Sequence, residues 1–175
     1  HVSSAGGLFE GQVACGSETS PMPLRAYGEG KLAQEQIIRT EPGLGRRLIL
    51  RPSSVYGFVQ GARRGLLATL ITSTFQHRPA TIFGSLLTLR DYIYAPDIGG
   101  FVSKRLIKPR FSSEADSTEI CLLASARPAS VFEIVQLVED SLGRGLMMKI
   151  DPRPENARDN TFLPSVLPAD FQPTG

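Results

Sequence analysis

The run Arg47-Leu48-Ile49-Leu50-Arg51 constrains the fold more than any other segment. Its apolar residues are consecutive instead of alternating, the pattern of a strand covered on both faces, as parallel sheets prefer. The sequence on either side alternates helix with strand. From about Leu24 to Arg39 the spacing is helical, with Leu32, Ile37 and Ile38 directed at a core and Glu35 and Arg39 set as an i,i+4 pair. Pro42-Gly43-Leu44-Gly45 then stops that helix. The segment Gly65 to His77 predicts a helix with Leu66, Leu67, Leu70 and Ile71 on its apolar side. Short strands follow at Ala80 to Gly84 and Asp91 to Ala95, then a helix in which Pro96 takes an early position, then a strand from Glu119 to Ala124. Residues 131–142 form the best-marked helix. Ser130 and Glu133 make a capping box, Val131, Ile134, Val135, Val138 and Leu142 share one face, and Gly143 closes it. A last strand spans Leu146 to Ile150, and beyond Asp151 proline and asparagine erase the periodicity. Strand and helix in alternation predict an α/β sheet.

The 175 residues suit one domain with a sizeable core. A net charge of +2 with 21% charged residues implies no polyanion-binding surface. Arg46, Arg47, Arg63 and Arg64 read as solvated faces, and without interleaved aromatics they make no nucleic-acid patch. No apolar run reaches the ~18 residues that a membrane span needs, and the opening His1 to Gly7 lacks the basic and apolar regions of a signal peptide. Cys15 and Cys121 stand far apart and read as reduced thiols, compatible with a cytoplasmic protein. With His1 and His77 the only histidines, a metal site is not expected.

Tyr27 and Lys31 are spaced Tyr-x-x-x-Lys, which places a phenol and an ammonium on one helical face. A lysine charge that close favours the phenolate, giving a general acid/base near neutral pH. The pair alone also occurs by chance on many helices, as a half-buried tyrosine beside a solvated lysine. Its surroundings add weight. HVSSAGG precedes it, ILRPSSVYG follows at residues 49–57, and LRDYIYAPDIG follows at residues 89–99.

In this order the segments resemble the extended short-chain dehydrogenase/reductases, the NAD-dependent nucleotide-sugar epimerase and dehydratase family. The resemblance covers His1 to about Pro173. It implies an α/β fold comprising the later half of a Rossmann-type parallel sheet plus a small C-terminal substrate-binding α/β region. Residues 1–57 would then be the end of the dinucleotide-binding domain, and 58–175 the substrate-binding region with the remaining sheet elements. No G-x-G-x-x-G follows a strand and opens a helix, as a dinucleotide fingerprint must. Gly43-Leu44-Gly45 precedes a strand, and Gly57 to Gly65 lacks the Gly-Lys-Ser/Thr ending of a phosphate loop. Against the family the chain is expected to lack the first βαβαβ half, as a fragment or truncated product.

The same resemblance implies roles for individual residues. Tyr27 would exchange a proton with a sugar hydroxyl, while Lys31 would lower its pKa and bind the nicotinamide ribose. The hydroxyl that assists them falls, in register, on Ala5, so either Ser4 serves from a shifted position or the site is impaired. Dehydratases carry an acid just beyond, where this chain has Gly6 and Gly7, which disfavours dehydration. Pro52 would meet the nicotinamide and Ser54, at the family's asparagine position, the substrate; Ser54 is equally readable as a strand-end serine. Arg90 would grip a substrate phosphate, because guanidinium makes bidentate charged contacts. Arg153 matches another diphosphate-binding arginine and is also readable as a loop arginine, while Asp91 and Asp97 read as structural. The expected cofactor is NAD, with NADP not separable from it, and the partners a nucleotide sugar and a second copy through the Tyr27 helix. Three functions stay open: a C4 epimerase, a carbonyl reductase on the same fold, and a non-catalytic ligand-sensing remnant.

Overall fold

The computed structural model describes residues 1–57, 65–107 and 116–174, so Arg63 and Arg64 lie outside it. The buried run forms strand β1 (Arg47–Pro52), which pairs in parallel with β5 (Thr118–Leu123), Leu50 opposite Cys121 and Pro52 opposite Leu123. On its other side β1 meets Val2 through a parallel bridge at Leu50. Three parallel segments therefore lie side by side, with β1 in the middle and Ile49 wholly buried.

Both faces are covered, as the consecutive apolar run requires. Along β5, Leu122 points to one face while Cys121 and Leu123 point to the other. Leu122 joins a core built on Ala5, Leu8, Phe9, Cys15 and Phe162 under helices α1 (Ala5–Leu8) and α2 (Ala26–Thr40). Cys121 and Leu123 join Leu50, Ile93, Phe101 and Phe171 under α4 (Ala95–Ile107).

The rest of the sheet structure is smaller. Strand β2 (Ser54–Tyr56) runs parallel to β4 (Leu89–Tyr94), and β4 is antiparallel to β6 (Pro128–Ser130). Strand β3 (Ala80–Phe83) runs parallel to β7 (Met148–Asp151). Helices α3 (Leu66–Phe75) and α5 (Val131–Leu142) close a third core there, centred on Leu70, Ile82, Ile134 and Val135. Helix α5 has the expected limits. Ser130 and Glu133 form the reciprocal capping box, and Gly143 ends the helix at φ 63°, a left-handed conformation that glycine adopts without strain.

Three expectations change. Ile37 is 61% exposed, because the buried positions of α2 are Gly28 and Glu35, about 200° round the helix from it. Ile71 is exposed as well, about 100° from the fully buried Leu70. The connection after Ser4 begins as a helical turn, not as open loop: Ser4 caps α1, its Oγ accepting the Gly7 N–H at 3.1 Å. The aperiodic C-terminal stretch gains order from two short 3-10 turns, at residues 154–156 and 164–166, and from aromatic contacts. Phe162 packs edge-on against Phe9 and Phe171 against Phe101. No helix among the described residues is long and apolar enough to cross a membrane.

Candidate functional site

Helix α2 begins with little local encouragement. Arg25 occupies its N-cap without a side-chain capping bond, and Gly28 and Gly30 weaken its first two turns. Tertiary contacts fix the start instead. The Glu10 carboxylate clamps the Arg25 guanidinium, with Nε 2.8 Å from Oε1, and Arg25 also donates to Asn156 Oδ1 and to the Glu155 carbonyl. Gly28 meets α1 so closely that a Cβ there would lie 2.2 Å from the Gly7 carbonyl oxygen.

This contact aims Tyr27 and Lys31 at the segment from Val2 to Gly7. The Tyr27 ring lies against Gly7 while the residue stays 61% exposed. One turn on, Lys31 Nζ donates to the Val2 carbonyl at 3.0 Å. Phenol and ammonium thus flank the carboxyl end of the first parallel segment, where open α/β sheets place their ligands. Ser4 sits at the same end. Its Oγ spends an acceptor lone pair on Gly7 N–H and keeps its own hydrogen for another acceptor. Ala5, the register position of the family hydroxyl, is fully buried.

Glu35 is the site residue that sequence reasoning misplaced. Its hydrogen-bonded partner is not Arg39. It is 1% exposed and takes a bidentate contact from Arg51 on β1, Nε to Oε1 at 3.0 Å and Nη2 to Oε2 at 2.6 Å. Burial pushes the Glu35 carboxyl up, but the Arg51 hydrogen bonds and charge, with the charge of Arg39, outweigh it and hold the group below its usual range. The one signal in the sequence was position: Glu35 follows Lys31 by one turn on the buried face.

Pro52 is buried at the end of β1, and the chain beyond it is pinned at a fully buried carboxylate. Asp91 Oδ1 accepts Ser53 Oγ at 2.8 Å and Ser125 N–H at 2.7 Å, joining the β1–β2 and β5–β6 connections to β4. Ser54 lies half-buried on β2, opposite Tyr92. Asp97 stands in the first turn of α4 and accepts from the Thr174 amide and hydroxyl.

The arginines gather at the 154–156 turn. Arg90 Nη2 donates to the Asn156 carbonyl at 3.2 Å, so Asn156 links it to Arg25 at the head of α2. Arg153 opens that turn, but its guanidinium is engaged by Asp151 at 2.9 Å and stacks over Phe83 at 4.6 Å. An open cleft of about 350 Å³, lined by Ser125, Arg127, Leu167 and Phe171 among others, includes none of the expected site residues.

Known proteins resemble this chain in sequence and in fold. An uncharacterised UDP-glucose epimerase of Bacillus subtilis, YtcB, is 31% identical over 163 residues, which are 92% of this chain and 49% of the relative. Among solved structures, MoeE5 in complex with UDP-glucuronic acid and NAD superposes with a TM-score of 0.80 at 23% identity, over 99% of this chain and 58% of that one. The UDP-glucuronic acid 4-epimerase of Bacillus cereus in complex with NAD gives 0.79 at 23% identity, over 100% and 56%. The UDP-glucose 4-epimerase of Thermotoga maritima gives 0.75 at 22%, over 99% and 57%. These likenesses establish a Rossmann-like fold, and the chain spans about half the length of the relatives it matches. Residues 3–120 match the NAD dependent epimerase/dehydratase family, and the chain belongs to that family.

Proposed function

We propose that this chain carries the proton-transfer and sugar-binding part of an NAD-dependent epimerase acting at C4 of a nucleotide sugar. The observation that carries the reading is the convergence of Tyr27 and Lys31 on the Val2–Gly7 segment. The residues present fit the nicotinamide end of the cofactor. Tyr27 is accessible, and Lys31 spends one of its three N–H groups on Val2. When bound, NAD supplies a reversible hydride acceptor.

Tyr27 takes the proton from the sugar C4 hydroxyl as that carbon is oxidised and returns it to the ketone oxygen on reduction. Lys31 keeps a positive charge beside this exchange and has N–H groups left for ribose hydroxyls. Ser4 donates its remaining hydrogen to the reacting oxygen, and Pro52 and Ser54 line the approach from β1. Arg90 and Arg153 border the turn at 154–156 and hold diphosphate charge. Residues 1–57 make up the cofactor side and 58–175 the substrate side. Gly7 replaces the acid that dehydration needs, and its packing against Tyr27 leaves no room for a side chain there. The outward Ile37 supports pairing of two copies through α2.

The test is epimerisation of UDP-hexoses with NAD by the full-length protein. Tyr27→Phe is expected to cut turnover by about 10²–10⁴-fold with binding largely kept. Turnover at the wild-type rate would retire the reading. The buried Ala5 favours a second reading, a form that binds the sugar nucleotide without turning it over. Binding with no turnover in the wild type would select it.

A further inference from the structure

We propose that Glu35 and Arg51 are positioning residues for the Tyr27–Lys31 site, an inference that rests on the function proposed above. Helix α2 and strand β1 belong to different layers and share no hydrogen-bond ladder, so side chains must set the register between them. The Glu35–Arg51 contact is suited to that task. It is bidentate, with distances of 3.0 and 2.6 Å, and both side chains are withdrawn from water, at 2% and 13% exposure. Arg51 directly precedes Pro52, and its guanidinium also lies over the Phe9 ring at 5.7 Å. One carboxylate therefore joins the helix bearing Tyr27 and Lys31 to the strand leading to Pro52.

A buried ion pair is a poor device for stability alone, since apolar residues of similar volume often serve as well or better. Its directional geometry is what an apolar pair lacks. A fork that accepts one arrangement of two oxygens fixes the rotation of α2 and its position along its axis. Glu35 lies eight residues from Tyr27, about 12 Å along the helix, too far for its charge alone to alter the ring's surroundings greatly.

The experiment reads the Tyr27 ring by NMR on this chain with ¹³C-labelled tyrosine, Tyr27→Phe assigning the resonance. Glu35→Gln, Arg51→Lys and the double variant Glu35→Met/Arg51→Met are compared with Ser130→Ala, which weakens the distant α5 cap. The pair's variants are expected to displace the Tyr27 Cζ resonance, and the Met/Met variant to do so while its melting temperature stays near wild type. Ser130→Ala should leave the resonance in place. An unmoved resonance in the folded Met/Met variant, or in Arg51→Lys where the others do not fold, overturns the proposal. Lys31→Met separates this from failure of the underlying reading: a Tyr27 resonance indifferent to loss of the lysine would count against the proton-transfer site itself, whatever the pair does.

Discussion

Gly7 and Tyr27 are packed so closely that a Cβ on Gly7 would stand 2.9 Å from both Cδ1 and Cε1 of the ring. The contact is repeated one residue on, where Gly28 faces the Gly7 carbonyl and Pro23. Two glycines in facing helical turns let α1 and α2 approach to backbone contact, and the tyrosine side chain is set by that approach.

The two glycines should respond differently to the same substitution. At Gly28 the obstructing atom is backbone, 2.2 Å away, so Gly28→Ala must push α1 from α2. Overpacking of this kind costs about 1–3 kcal/mol, which exceeds the gain of up to ~1 kcal/mol in helix propensity. Calorimetry should show a melting temperature lower by a few degrees. At Gly7 the obstruction is a ring with open solvent beyond it, so Gly7→Ala should melt near wild type. It should instead misplace the phenol, and a displacement of about 1 Å can cost 10²-fold in turnover.

The thiols offer a second check. Burial, the charge of Glu119 and the bond from Sγ to Glu119 Oε1 push the Cys121 thiol up to about 12. Folded protein therefore keeps that proton where unfolded chain loses it. Stability is expected to fall as pH rises above about 9, by roughly 1 kcal/mol per pH unit, as the unfolded state alone ionises. Neither Cys121 nor the equally buried Cys15 should react with Ellman's reagent at pH 8 until denaturant is added, when both should titrate. Prompt labelling of native protein would contradict the packing.

Glu35 sets the opposite dependence. Its folded-state value is depressed, so its contribution is complete above the unfolded carboxylate range and is lost as pH falls through the lower folded value. Leaving Arg51 buried without its partner should cost Glu35→Gln about 3–5 kcal/mol at pH 7. Urea unfolding at successively lower pH should show the gap between wild type and Glu35→Gln narrowing below about pH 4.5, because protonation imposes the same loss on the wild type. A gap that stays constant into acid would mean that the carboxylate is not the form holding Arg51.

What could be read in the chain depended on how local its cause was. Helix α5 was legible to the residue because Ser130, Glu133 and Gly143 act within one turn of its ends. Strand β1 was legible because burial on both faces removes the need for polar alternation. Helix α2 was legible as a helix but only partly in its facing: Leu32 packs against the core as its spacing implies. The fully buried positions are Gly28 and Glu35, neither apolar, so apolar spacing also pointed to Ile37, which faces water. The partner that buries Glu35 is sixteen residues away on another element, and no spacing rule reaches it. Tyr27 and Lys31 were visible as a pair four apart, whereas the Gly7 contact that orients the ring depends on two helical turns meeting in space.

Asp91 supplies the last prediction. Its side chain is fully buried, Oδ1 accepts from Ser53 Oγ and Ser125 N–H, and Oδ2 has no partner among the described residues. Asp91→Ala would strand a buried hydroxyl and a buried amide, each costing about 1–3 kcal/mol. Asp91→Asn keeps an amide oxygen for both donors and removes a charge that Oδ2 does not use, so it should cost clearly less than alanine. Because Ser53 stands between Pro52 and Ser54, the alanine variant should also loosen the end of β1. Hydrogen exchange should then quicken at the amide of Ser53, which donates to the Leu123 carbonyl at 2.9 Å. Asparagine as damaging as alanine would mean that Asp91 acts through its charge, and that a cation or donor sits at Oδ2.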